Sequence, residues 1–272
     1  MRPEQNLVIT SSQNARVKAA RALQNGQQRR KQGLLLIESP KHIIEAINSG
    51  AIVQQLFYDP TQLPPQGSIV LSQLDSSQTE LIPVSAGVLA TLADTVTPQG
   101  MVAVAEFPIQ TDIASLASES LLLVADEVRD PGNLGTMLRT AAAVEAGVIL
   151  CAGCADHSSP KVVRSSAGAL YALKICAGLP ASTVAKQLQE ADWRTYVCVG
   201  DGAQVYYSVD LREKMALVVG NEGYGPAPCW HEYSSGTISI PMPGRVESLN
   251  AAVAAAVVLY EALRQRQMGM IT

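Results

Sequence analysis

Three short segments of this chain combine residue types that can bind and orient a polar substrate. The first is Asp130-Pro131-Gly132-Asn133-Leu134-Gly135, followed closely by Leu138-Arg139-Thr140. The second is Val219-Gly220-Asn221-Glu222-Gly223-Tyr224-Gly225. The third is Ile240-Pro241-Met242-Pro243-Gly244-Arg245-Val246-Glu247-Ser248-Leu249-Asn250. Glycine lets a backbone approach a ligand closely and adopt positive φ. Amides and carboxylates orient hydroxyl groups. A guanidinium stays charged, so it can bind phosphate, orient a hydroxyl or stabilise a developing alkoxide. Any one of these segments alone reads as a plain turn; three of them point to one ligand site. None has the GxxxxGK[ST] spacing of an ATP-binding loop, and no GxGxxG follows a strand, so a dinucleotide site is not supported.

An apolar strand precedes each segment. LLLVADEV (121–128) is almost continuously apolar, as expected of a parallel strand covered on both faces. MALVV and TISIP precede the second and third segments, while VILCAG and YVCVG supply further strands. Helices are expected over TMLRTAAAVEAG, partly over 161–175, over STVAKQLQEA, and from Ser248 to Gln267, with Ser248 able to cap the last one. Alternating strands and helices indicate a parallel α/β domain, in which ligands bind beyond the carboxyl ends of the strands. Upstream, residues 11–31 read as one helix and LLLIES as a strand. KHIIEAINS reads as a helix opened by Pro40, and IVQQLFYD, SIVLS, TELIPVS and MVAVAEF as strands, with a short helix from Leu89 to Asp94. This smaller α/β unit ends near residue 108, and the polar stretch from Pro108 to Ser120 reads as a boundary.

The chain is 47% hydrophobic but only 4% aromatic, so Leu, Val, Ile and Ala must build its core. The net charge is -4, unlike a typical nucleic-acid binder, but the charge is unevenly spread. Residues 1–31 carry seven basic side chains and one acidic, and the remainder 13 and 23. Such a basic head can steer a polyanion; a solvated helix face is the plain alternative. No segment reads as a membrane span or secretory signal; the most apolar, Ala251 to Leu259, is short. Cytoplasm is therefore the expected location. Cys151, Cys154, Cys176, Cys198 and Cys229 are odd in number and scattered, which argues against a disulfide framework. Cys151 and Cys154 have the CxxC spacing, but without a second pair they read as ordinary thiols rather than a zinc or redox site. His157 and His231 fall in no nucleophilic motif.

The three segments closely resemble the motifs of the SpoU/TrmH branch of the SPOUT RNA methyltransferases. DPGNLGTMLRTA is similar to motif 1, VVGNEGYG to motif 2, and ISIPMPGRVESLNAAVAAAVVLYEAL to motif 3; RSSAGAL (164–170) is similar to the segment between the first two. The resemblance spans about residues 121–266. The first 108 residues resemble, less sharply, the family's ribosomal-protein-like RNA-binding extension. That extension often carries Glu-Gly after its first strand, where this chain has Glu38-Ser39. The implied organisation is a smaller N-terminal α/β RNA substrate-binding domain over 1–108, a linker over 109–118, and an α/β SPOUT methyltransferase domain over 119–272. The resemblance further implies a parallel sheet with a deep trefoil knot, and a homodimer with active sites near the subunit interface.

The resemblance also implies S-adenosylmethionine as cofactor and a ribose 2′-hydroxyl of RNA, ribosomal by preference, as acceptor. Asn133, Arg139, Glu222, Ser248 and Asn250 match catalytic positions; Gly220, Ile240 and Leu249 match cofactor-lining positions, with Gly200 approaching from a neighbouring turn. Arg139 is expected near the start of a helix, beside the ribose. Glu222 would orient Arg139 or a neighbouring amide, and Asn250 would bridge the active-site turn and the substrate. Methyl transfer from a sulfonium needs no metal. Transfer RNA is the alternative substrate. Methylation of a base nitrogen and non-catalytic RNA binding are the competing activities.

Overall fold

A computed structural model describes residues 7–74, 77–107, 112–246 and 248–268. The chain begins with α1 (Ala15–Ala22), α2 (Gly26–Gln32), β1 (Leu34–Glu38), α3 (Pro40–Asn48), β2 (Val53–Tyr58), α4 (Pro65–Gln73), β3 (Glu80–Pro83), α5 (Ala86–Leu92) and β4 (Met101–Glu106). It continues through β5 (Leu121–Ala125), α6 (Pro131–Ala143), β6 (Gly147–Leu150), α7 (Pro160–Ser165), β7 (Ile175–Ala177), α8 (Ala181–Glu190) and β8 (Arg194–Cys198). The last elements are β9 (Gln204–Val205), β10 (Met215–Val219), α9 (Trp230–Tyr233), β11 (Gly236–Ser239) and α10 (Ala251–Met268). Two compact units result. One takes in the described part of Met1–Pro108 together with Ser158–Ala172, the other Ile109–His157 and Leu173–Thr272. The RSSAGAL segment therefore packs with the first unit. Of the expected linker, 109–111 lie outside the described residues. Ile113–Leu116 form a 3-10 turn whose two ends are buried in the core of the second unit.

In the first unit the sheet order is β1-β4-β2-β3, with β2 and β3 parallel and the other pairs antiparallel. Val17, Ala20 and Leu23 pack with Phe57, Val88, Leu89, Leu92, Val102 and Val104. Two expectations fail here. Residues 11–31 form two helices, because Asn25 takes an extended conformation and caps α2 through Gln27 N at 2.9 Å. SIVLS lies in α4, because Pro65 opens a helix at its first position and five mixed apolar residues cannot distinguish the two periods. Arg29 also departs from the reading of the basic head as a uniformly solvated or RNA-facing surface. It is 4% exposed and donates to Ser158 Oγ (2.9 Å) and to the carbonyls of Leu23 (2.8 Å) and Gln24 (2.9 Å), stitching the break between the helices. Arg16 pairs with Glu80 at 2.8 Å.

The second unit is one parallel sheet in the order β7-β6-β5-β10-β8-β11-β9. β5 and β10 lie side by side with every residue buried, which is why both sequences read as unbroken apolar runs. From β5 the chain runs outward through β6 and β7, then returns to build the other half, so the order reverses beside β5. That is where open α/β sheets carry their ligand crevice. The turns after β5, β8, β10 and β11 emerge at this end. Two helix boundaries differ from expectation. DPGNLG is not a loop before α6: Asp130 caps the helix through Asn133 N (2.8 Å), Pro131 is its first residue, and Asn133 lies in its first turn. The last helix begins at Ala251, not Ser248. Its cap is Asn250, whose Oδ1 accepts from Ala252 N (3.0 Å) and Val253 N (3.3 Å).

Ser39 occupies a backbone conformation (φ 72°, ψ 139°) close to one reserved for glycine. Next to it, the buried Glu38 carboxylate accepts from the backbone N–H groups of Asp94 and Thr95, and from Thr95 Oγ1 at 2.9 Å. This holds the strand end in place while Ser39 turns into α3. Replacing a cap by glycine costs only a few tenths of a kcal/mol, whereas relieving such a conformation returns roughly 1–3 kcal/mol. Ser39→Gly is therefore expected to stabilise the protein by about 1 kcal/mol, read as a higher urea midpoint; a lower midpoint would contradict the strain argument.

Candidate active site

The side-chain amide of Asn133 joins all three chemistry-bearing segments. Its Nδ2 donates to the Glu222 carboxylate, and its Oδ1 accepts from Asn250 Nδ2 at 2.9 Å. The amide orientation is thus set on both sides. Each partner is anchored in turn. Asn133 is held by the cap of α6 and Asn250 by its capping of α10. Glu222 rides on a turn tied down by Asn221, whose Nδ2 donates to Glu127 O (3.1 Å) and whose Oδ1 accepts from Gly223 N (2.8 Å) and Tyr224 N (3.2 Å). A bridge between Asn221 and Gly225 closes this turn.

Beside this chain lies a cavity of about 220 Å³, lined by residues that include Gly200, Gly220, Glu222, Ile240, Met242, Ser248 and Leu249. Four of these, Gly200, Gly220, Ile240 and Leu249, are the residues expected to line the cofactor site. Ser248 is on the wall rather than in a helix cap. Gly220 is required by packing: a Cβ there would lie 2.3 Å from Pro226 N and 2.5 Å from Pro226 Cα. Any side chain would push the loop off β10. Gly200 has no such crowding. The walls combine apolar side chains with glycine backbone at positions 200 and 220. That suits a ligand with a flat heteroaromatic part and directional polar edges.

Arg139 is not part of this network. Six residues along α6 from Asn133, it is rotated about 120° around the helix and displaced about 9 Å along it. It is exposed and has no hydrogen-bond or ion-pair partner among the described residues. Glu222 therefore orients an amide and not this guanidinium. Thr136 and Thr140, which flank Arg139 on the helix surface, turn their hydroxyls back to Gly132 O (2.8 Å) and Thr136 O (3.0 Å), leaving the arginine as the reaching group on that face.

Cys198 lines the cavity, and burial pushes its thiol up to about 11. Burial likewise pushes Cys154 up to about 11 and raises Cys151 further, so both CxxC thiols remain protonated near neutrality. Among the described residues no three His, Cys, Asp or Glu side chains gather in a metal-binding arrangement.

Sequence reasoning missed Asp126. It is 1% exposed, at the end of β5, and its Oδ2 accepts from Ala227 N (2.7 Å) and Trp230 Nε1 (2.8 Å). With Glu127 O holding Asn221, residues 126 and 127 grip the Glu222 loop at both ends. The available signal was a carboxylate closing an otherwise apolar strand. Asp126→Ala would leave the buried Trp230 Nε1–H unpaired, at roughly 1–3 kcal/mol, and the part-buried Ala227 N–H at the lower end of that range. It is expected to cost about 2–4 kcal/mol in urea unfolding, and Asp126→Asn less; a loss below about 1 kcal/mol for Ala would argue against the grip.

Comparisons with known proteins show what the two segments of this chain are similar to. Residues 120–260 match the model of the SpoU rRNA Methylase family, and residues 14–103 match the MRM3-like substrate binding domain. The chain is 32% identical over 255 residues to the 23S rRNA (guanosine(2553)-2′-O)-methyltransferase RlmP of Bacillus subtilis, covering 93% of this chain and 97% of that one. It is 33% identical over 274 residues to a 23S rRNA (uridine(2479)-2′-O)-methyltransferase of Streptomyces viridochromogenes, covering 95% and 93%. Among solved structures, the SpoU methyltransferase AviRb from Streptomyces viridochromogenes in complex with the cofactor AdoMet superimposes with a TM-score of 0.83 at 31% identity, covering 94% of this chain and 99% of that one. With both of its segments matched and relatives aligned along nearly its full length, the chain belongs to the SpoU rRNA methylase family.

Proposed function

We propose that this protein transfers a methyl group from S-adenosylmethionine to a ribose 2′-hydroxyl of ribosomal RNA. The observation that carries the reading is the Asn133–Glu222–Asn250 chain beside the glycine-walled cavity, in a chain of the SpoU family. Gly200, Gly220, Ile240 and Leu249 would hold the cofactor, which supplies a methyl group already activated on sulfonium. The work left to the protein is alignment. Asn133, with its amide clamped by Glu222 and Asn250, presents a rigid polar edge to the incoming ribose. Ser248 adds a hydroxyl on the cavity wall. Arg139 supplies positive charge to the substrate phosphate and to the oxygen that becomes an alkoxide.

In this reading residues 1–108 bind the RNA and 119–272 carry out the chemistry, while Ile113–Leu116 of the expected linker pack into the second unit. The proposal includes a homodimer, supported by Val253 and Tyr260, which are exposed on the outer face of α10. It includes the trefoil knot that membership of the family implies. It also includes a cytoplasmic location, in keeping with a ribosomal substrate. Among the described residues no helix is long and apolar enough to cross a membrane.

Calorimetric titration should show binding of S-adenosylmethionine or its demethylated product without NAD or divalent metal; folded protein that binds neither would refute the reading. Mapping ribose methylation in cellular RNA with and without the protein should reveal a lost site in ribosomal RNA, and a site lost from transfer RNA instead would correct the substrate. Arg139→Ala should reduce single-turnover transfer at least about a hundredfold, the scale of losing one electrostatic stabiliser, with cofactor affinity nearly unchanged. A full transfer rate would remove Arg139 from the mechanism. For the basic head, Arg16, Lys18, Arg21, Arg30 and Lys31 are to be changed to Gln and the structural Arg29 left in place. RNA affinity should fall and depend less steeply on salt, while cofactor affinity stays the same; equal salt slopes in filter binding would show a merely solvated surface.

A further inference from the structure

We propose that Tyr224 is a stacking platform for an unpaired nucleobase of the substrate, next to the ribose that is methylated. The inference rests on the reading of this site as one of RNA ribose methylation. Tyr224 is 90% exposed, although the chain has few aromatics and buries both of its tryptophans, Trp193 and Trp230. Its exposure is not that of a loose loop. Its own N–H and that of Gly223 are held by Asn221 Oδ1, Gly225 N donates to Asn221 O at 2.9 Å, and Gly220 is packed against Pro226. The ring is therefore carried on a rigid, doubly anchored turn.

Its neighbours on that turn define its place. Two residues earlier, Glu222 holds the Asn133 amide; the residue after it, Gly225, lines the cavity. A ribose placed between the amide and the cavity brings its own base, or the next one, to the outer side of this turn. A 2′-hydroxyl within a duplex sits among stacked, paired nucleotides, and proteins that single out one RNA nucleotide do so where bases are unstacked and can lie on an aromatic face. Every base has a π-face, so a tyrosine here would hold the nucleotide without dictating its identity. The phenol can still meet water or phosphate at the ring's edge.

The test compares the wild-type protein with Tyr224→Phe, Tyr224→Leu and Tyr224→Ala. Ribosomal RNA transcribed in vitro, and so unmethylated, serves as substrate. Tyr224→Ala should raise KM for RNA and weaken RNA binding by about tenfold or more, the scale of one lost base–aromatic stack. Tyr224→Phe should stay within about twofold of wild type, and Tyr224→Leu should resemble Tyr224→Ala, because a planar face is what is needed. Cofactor affinity by calorimetry and molecular mass by sedimentation should be unchanged in all three. Wild-type RNA affinity and KM in Tyr224→Ala would overturn the proposal, as would equal rescue by Leu and Phe. A fall in molecular mass that tracks the loss of activity would overturn it too, assigning the ring to a subunit contact. A wild-type protein that binds the cofactor but methylates no RNA would instead overturn the function on which the proposal rests.

Discussion

One side-chain amide organises this site. Asn133 has a donor edge and an acceptor edge, and each meets its complement on a different segment: a carboxylate from the turn after β10 and an amide from the start of α10. The bonds differ in kind. The one to Glu222 is charge-assisted and the stronger, and because a carboxylate only accepts it fixes which edge of the amide faces it; the one from Asn250 sets the same orientation from the other side. Three segments distant in sequence acquire a common geometry only if all three backbones are already held, because a free loop would spend the bond's modest net energy on its own ordering. The structure meets that requirement with helix caps at 130 and 250 and a closed turn at 221–225.

The sheet beneath makes this possible. β5 and β10 are adjacent, parallel and wholly buried, so their ends are level and their exit turns are neighbours. Asp126 continues β5 by one residue and puts a carboxylate where the next loop returns. Burying a charge is costly unless it is bonded, and here the two bonds it receives are the ones that seat the Glu222 loop and Trp230. The same residue that would be a liability in an apolar core thus couples the core to the site.

Much of this was legible in the sequence, for physical reasons that differ by residue. Unbroken apolar runs announced β5 and β10 because both faces are covered. The three segments that carry Asn133, Glu222 and Asn250 were legible through residue type and spacing. What sequence could not give was pairing: nothing in the spacing says that Glu222 would take the amide of Asn133 and leave Arg139 alone, since that depends on helix phase, and the helix begins five residues earlier than TMLRTAAAVEAG suggested. The caps at Asn25 and Asn250 were obscured by more conspicuous neighbours, and SIVLS was short enough to satisfy either period. Arg29 looked like one cation in a row of three, but its environment is set by Leu23, Gln24 and Ser158, the last of them far away in the chain.

The separation of Arg139 from Glu222 has an electrostatic consequence. Had the two paired, their charges would largely cancel, and the site would offer a polyanion almost no net attraction. Instead Glu222 is bonded to a neutral amide, and Arg139 has no partner among the described residues. A bare carboxylate and a phosphate about 4 Å apart at a protein surface repel by roughly 4 kcal/mol, so placing Glu222 near RNA demands both a donor that draws its charge inward and a cation within reach of the phosphate. Asn133 supplies the first and Arg139 can supply the second, about 9 Å away along one helix. This exceeds the reach of a direct ion pair and is close to one Debye length, about 8 Å at physiological salt, so the two charges act on separate groups and screen each other only weakly. In the proposed reading, a chain of net charge -4 can in this way accept RNA beside the Glu222 carboxylate, provided Arg139 stays uncommitted until the substrate arrives.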